Sequence, residues 1–134
     1  MNIRWVAALL FTIASTGVIA FQIALAAGAP WGAYAMGGAF PGQFSPPLRI
    51  AAVVQAALIA GTIAVVLVRA DIIRARWSSL AGRLVWGVVA LGAISLVLNL
   101  ITPSAGERAI WAPVALVLLL SSTVVAMTGS STRK

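Results

Sequence analysis

Six polar residues of this chain fall where they could act together. Gln22, Gln55 and Asn99 lie inside long apolar runs, and Arg49, Glu107 and Arg108 stand just beyond the ends of such runs. Amides offer both donors and acceptors, a guanidinium only donors, a carboxylate only acceptors. Such a set could bind a headgroup or a small solute, or simply join helices by hydrogen bonds; it does not break bonds. Proton-transfer catalysis needs a titratable acid and base at the reacting centre. The chain has no His and no Cys, and its acids are Asp71 and Glu107 alone. No G-x-x-x-x-G-K-[ST] phosphate loop occurs, and no base stands ready to activate a Ser or Thr. Without Cys or His there is no disulfide, structural zinc, iron–sulfur cluster or His- or Cys-ligated haem. The expectation is a non-enzymatic protein without cofactor or metal.

Composition says what surrounds these residues. Of 134 residues 62% are hydrophobic and 8% charged, against about 25% charged in a soluble domain. Two acids and nine basic residues cannot cover a surface in water, so the surface meets lipid. The net charge of +7 is then the basic excess of a membrane protein. It is not a nucleic-acid footprint, because no basic stripe is interleaved with exposed aromatics.

Four apolar runs supply the elements: residues 5–27, 50–68, 84–101 and 111–127, of 23, 19, 18 and 17 residues. At ~1.5 Å per residue the first reaches roughly 34 Å and the last roughly 26 Å, against a hydrocarbon core of about 30 Å. All four qualify as spans, the last only with help from local thinning or from its flanking Trp111. The first run also carries "ALA" at Ala24 to Ala26, which resembles a signal cleavage site. Its length exceeds the 7–15 residues of a signal core, so a retained helix is expected.

Charge sets the expected topology. With a cytoplasmic N-terminus, that side holds Arg4, Arg69, Arg74, Arg76, Arg83, Arg133 and Lys134, while the other holds Arg49 and Arg108. Lys and Arg next to spans collect in the cytoplasm, so both termini are expected there, in a bacterial inner membrane. The same bias argues against an antiparallel dual-topology dimer. Asp71 is expected to pair with Arg69, Arg74 or Arg76. The connection "RADIIRARWSSLAGR", with Arg69, Arg74, Arg76 and Arg83 beside Trp77, reads as a contact with anionic lipid or as topology charge alone.

The connection between the first two spans has a different character. "GAPWGAYAMGGAFPGQFSPPLR" is uncharged until Arg49 yet rich in Gly, Pro and aromatics: Trp31, Tyr34, Phe40 and Phe44. Trp and Tyr favour the headgroup level. Pro30 could start a short helical turn that Gly37 and Gly38 end, and Pro46 with Pro47 reads as a stiff extended lead into the second span. Such a loop rests on lipid or on helix tops, either as a lid over the bundle or as an interfacial anchor.

Depth then groups the polar residues. Gln22 is five residues from the outer end of its span, Gln55 five into its own, and Asn99 two from the end of the third. All lie in the outer third, below Arg49, Glu107 and Arg108. They form either interhelical hydrogen bonds or an outward-facing polar cavity. For packing, Ala8, Thr12, Thr16, Ala20 and Ala24 recur every fourth residue, as do Ala52, Ala56, Ala60 and Ala64. Small residues let helices approach closely in lipid, so these stripes are expected to face each other. Gly87, Gly92 and Ser95 serve the third span, Ser121 and Ser122 the fourth. The expected fold is an all-α, antiparallel, up-down-up-down four-helix bundle in one domain.

Small multidrug transporters are also four-span chains, but they carry a carboxylate in the middle of the first helix; residues 5–27 have none. The segments "GAPWGAYAMGG", P-x-x-F-x-P-P-L-R-I-A and "TPSAGERAIWAPVALVLLL" resemble uncharacterised small bacterial four-span inner-membrane proteins with a W-G-x-x-A-M-G-G external loop. That resemblance implies a shared fold and no known activity. It points to Trp31, Gly32, Gly37, Gly38, Arg49, Glu107 and Arg108 as functional positions. The expected role is an accessory, assembly or interaction subunit; the alternative is a small-solute or lipid-headgroup binder or permease. Its partners would be the bilayer and either another membrane protein or further copies in parallel, not nucleic acid.

Overall fold

Asn2 opens the first helix by accepting the Trp5 backbone N–H on its side chain at 2.8 Å, which satisfies one of the donors a helix start leaves over. The computed structural model describes residues 2–128, and Arg133 and Lys134 of the topology count lie outside them. Its elements are α1 (Ile3–Ala27), α2 (Pro46–Arg69), α3 (Ser78–Ile101) and α4 (Ala105–Thr128), with two short 3-10 turns, Gly32–Tyr34 and Met36–Gly38, between α1 and α2. Among the described residues no strand occurs. All four helices are long and apolar enough to cross a membrane. This is a multi-pass, all-α membrane protein.

Every helix outruns its apolar core. α2 starts at Pro46, with Pro47 next, so the two prolines form the first helical turn rather than an extended lead. A helix start has no partner for those N–H groups, and the fixed proline φ suits it. α4 starts at Ala105 and runs 24 residues through Pro113, so the fourth span is not short. The segment "TPSAGER" is therefore mostly helix, its turn confined to Thr102, Pro103 and Ser104.

Helix ends repeat one device. At the end of α1 the N–H of Gly28 reaches Leu25 O and that of Ala29 reaches Ala24 O, with Gly28 at φ 104°. This is the Schellman arrangement. At the end of α2, Asp71 N–H reaches Val68 O and Ile72 N–H reaches Leu67 O, with Asp71 at φ 62° in the position usually given to glycine.

The helices form a ring in which α1 packs on α2 and α4, and α4 on α3, while α2 meets α3 less closely. One core joins all four helices around Phe11, Val66, Val85 and Val125. A second, at the end bearing the 28–45 loop, joins α1, α2 and the loop around Leu25, Phe44 and Ala52. Only part of the expected stripes is buried: Ala8, Ala52 and Ala56 are, whereas Thr16, Ala20 and Ala60 are exposed. α3 comes close to the backbone of α4 at Gly92, where a Cβ would stand 3.3 Å from Leu119 Cα.

Candidate functional site

The six residues of the sequence constellation share one end of the bundle but not one point. Gln22 Nε2 donates to Gln55 Oε1 at 2.7 Å, joining α1 to α2. Asn99 turns to its own helix, its Nδ2 donating to Ser95 O at 2.7 Å and Ser95 Oγ at 3.3 Å. Arg49 Nε donates to Phe44 O at 2.8 Å. Its guanidinium lies against Gly28, where a Cβ would stand 3.3 Å from Nη2. A cation there faces the carbonyl end of α1, which its dipole favours. Arg108 Nη1 donates to Thr102 O at 3.3 Å.

Glu107 holds the loop. Its Oε2 accepts the backbone N–H of Gly37 at 2.8 Å and the Thr102 hydroxyl at 3.1 Å. Two further bonds fasten the same segment: Ser104 Oγ–H to Ala33 O at 2.8 Å, and Trp111 Nε1–H to Tyr34 O at 3.1 Å. Gly37 sits at φ 70°, a conformation that L side chains rarely adopt and that aims its N–H at the carboxylate. The two most distinctive motifs of the chain, W-G-x-x-A-M-G-G and "TPSAGER", thus bind each other. The loop rests on helix tops.

Its aromatic residues divide accordingly. Phe44 is 4% exposed, seated between α1 and α2. Trp31, Tyr34 and Phe40 remain exposed. Trp111 of α4 stacks on Phe21 of α1 with centroids 4.7 Å apart and planes 8° apart, and Trp31 approaches Phe21 at 6.3 Å. A ring from the loop, one from α1 and one from α4 meet there.

The sequence reading missed Ser104. It caps α4: Glu107 N–H donates to Ser104 Oγ at 3.1 Å, and S-x-x-E before an apolar run is the signal of a capping box. In that motif the glutamate turns back to the cap residue's own N–H. Here it reaches the loop instead, and the Ser104 N–H finds Thr102 Oγ1 at 3.3 Å.

The opposite end carries most of the arginines. Asp71 pairs with Arg4 of α1 at 3.6 Å. Arg69 Nη2 donates to Ala126 O at 2.9 Å, near the carbonyl end of α4, and its guanidinium lies over Gly82. Arg74, Arg76 and Arg83 are exposed with Trp77. The two carboxylates therefore stand at opposite ends of the bundle. Among the described residues no three His, Cys, Asp or Glu side chains are grouped as metal ligands would be.

No protein-family model matches the chain, and neither a curated protein nor a solved structure does. Its role must be sought in its own geometry.

Proposed function

We propose that this chain is a non-enzymatic accessory, assembly or interaction subunit of the bacterial inner membrane, with both ends of the polypeptide in the cytoplasm. One observation carries the proposal: the 28–45 loop is bonded at three backbone positions to the α3–α4 turn and to α4, while Trp31, Met36 and Phe40 stay about half exposed on it. A fastened loop presents its apolar side chains in a constant array, at low ordering cost for a partner. Aromatic and Met side chains are those enriched in interfaces. The two charged groups Glu107 and Arg49 are spent within the chain, Glu107 on the loop and Arg49 on a carbonyl, as in a scaffold. With Asp71 and Glu107 at opposite ends, no pair of carboxylates can share an acid–base task.

The test uses the natural absence of cysteine and a photo-reactive phenylalanine analogue at position 40. A discrete adduct with a second membrane protein in native membranes supports an interaction subunit, and adducts with lipid alone reject it. Single cysteines at positions 22, 55 and 99 test the rival binder. Protection from an impermeant maleimide agrees with the proposal, whereas labelling of all three would replace it with a water-filled solute site.

A further inference from the structure

We infer that the bundle is open sideways between α2 and α3 in its loop half, and that this cleft holds one bilayer lipid by its ester or hydroxyl oxygens. The opening is visible in how the two cores differ. Away from the loop, buried residues of all four helices meet: Phe11, Val66, Val85 and Val125 among them. In the loop half the buried cluster is Leu25, Phe44 and Ala52, with Phe21, Ala26, Ala35 and Leu48 against it, and neither α3 nor α4 contributes, though α4 still buries Ala112 and Ala115 there. Beyond Gly92 no residue of α3 is buried, and Ile94, Val97 and Leu98 are all more than half exposed.

Polar side chains line that opening. Gln22 follows the buried Phe11 and Ser15 of α1 by eleven and seven residues. Ser95 and Asn99 follow the buried Gly92 of α3 by three and seven, and Gln55 follows the buried Ala52 of α2 by three. Spacings of three, seven and eleven return to one helix face, so all four stand on faces turned to the bundle axis. Yet Gln55 is exposed and the other three only half-buried. Inward residues that stay accessible mark a gap, and the weak contact of α2 with α3 puts it between those helices.

The gap has matched chemistry. The bond from Gln22 to Gln55 uses one N–H and one oxygen. Among the described residues Gln55 Nε2, Gln22 Oε1 and Asn99 Oδ1 have no protein partner. Gln22 and Gln55 sit six positions further in than Gly28 and Arg49 on their helices, about 9 Å deeper, and Asn99 lies two residues inside the end of α3. Hydrocarbon offers them nothing. Further down, the exposed and apolar Leu58 and Leu91 flank these faces. The donor Gln55 Nε2 fits an ester oxygen and the acceptors Gln22 Oε1 and Asn99 Oδ1 fit a hydroxyl, at the head of an amphiphile whose chain lies in the apolar slot below. Arg49 is turned to Phe44 O and Gly28, so the recognised group is a neutral oxygen rather than a phosphate.

The experiment places the full chain in nanodiscs of phosphatidylethanolamine and phosphatidylglycerol with a trace of phosphatidylethanolamine bearing a diazirine on its acyl chain. Adducts concentrated at residues 50–62 and 91–101, above those at the outward Ile13 and Leu116, are the expected result. Gln55→Leu combined with Asn99→Leu lowers the cleft adducts about fivefold or more and leaves the outward ones unchanged. Adducts spread evenly over all exposed faces of the wild-type chain overturn the inference, and that map requires no variant to fold. So do unchanged cleft adducts in the double variant, or a partner helix trapped at residues 50–62 in native membranes.

Discussion

The carboxylate of Glu107 accepts the backbone N–H of Gly37 across a sequence separation of 70 residues. One bond thereby ties the start of α4 to the middle of the loop after α1. Glu107 also lies in the first turn of α4, where a negative charge suits the helix dipole. The same charge thus steadies a helix start and holds a loop.

Glu107→Ala removes the acceptor for both Gly37 and Thr102. The expected loss is about 1.5–3 kcal/mol, the range for hydrogen bonds to a charged group. Glu107→Gln keeps an acceptor oxygen and should lose less than half as much. Thermal unfolding in detergent micelles orders the three proteins, and faster proteolysis within residues 28–45 of the alanine variant identifies the loop as the part released. Equal melting of the alanine variant and the wild type would refute the latch.

Gly32 makes a separate prediction, because its neighbours are backbone. A Cβ there would collide with Phe40 O and stand 2.7 Å from Gly42 O. Gly32 N–H also donates to Gly42 O at 2.9 Å, closing the loop on itself. Gly32→Ala must therefore open this contact. Gly17→Ala and Gly61→Ala meet nothing within 4 Å and should be neutral or gain up to ~1 kcal/mol from helix propensity. Melting temperatures of the three variants in one detergent decide it; a Gly32→Ala protein as stable as Gly61→Ala contradicts the packing described.

Much of this was legible before the structure. The four spans follow from the length of apolar chain a bilayer demands, and the loop was expected on lipid or helix tops because its composition cannot live in water. Depth was legible as well: Gln22 and Gln55 were placed at one level and do bond. Azimuth was not, and Asn99 turned to Ser95 on its own helix. The helix starts were misjudged because Pro46, Pro47 and Ser104 read as loop residues, though each also suits a first turn. The ion pair of Asp71 with Arg4 was not legible, because Arg4 comes near Asp71 only once α1 has packed against the others.

That ion pair gives a further expected outcome. Arg4 and Asp71 side chains are 18% and 28% exposed, and Arg4 Nε is buried without an acceptor. Asp71→Asn tolerates the left-handed backbone at φ 62° and removes only the charge. The cost expected is about 1–3 kcal/mol, because a mostly buried guanidinium loses its counter-charge. Arg4→Gln with Asp71→Asn should recover part of it. A double-mutant cycle on micellar stability measures the coupling, and a coupling near zero would show that the pair contributes nothing.

Trp111 joins three parts of the molecule at once, so its variants separate two interactions. Its ring stacks on Phe21 and its Nε1–H donates to Tyr34 O. Trp111→Phe preserves a ring for the stack and deletes the donor, leaving the Tyr34 carbonyl to find another partner; the expected loss is about 0.5–1.5 kcal/mol. Trp111→Ala also forfeits the aromatic pair, a further ~0.5–1.5 kcal/mol beyond the apolar area lost. Because the Tyr34 carbonyl belongs to the loop, both variants should speed cleavage within residues 28–45, the alanine variant more. Phe21→Ala removes the stack but leaves the hydrogen bond. It should therefore lower the melting temperature while slowing loop cleavage relative to Trp111→Ala. Identical cleavage in those two would mean that stacking, not the indole N–H, secures the loop over α4.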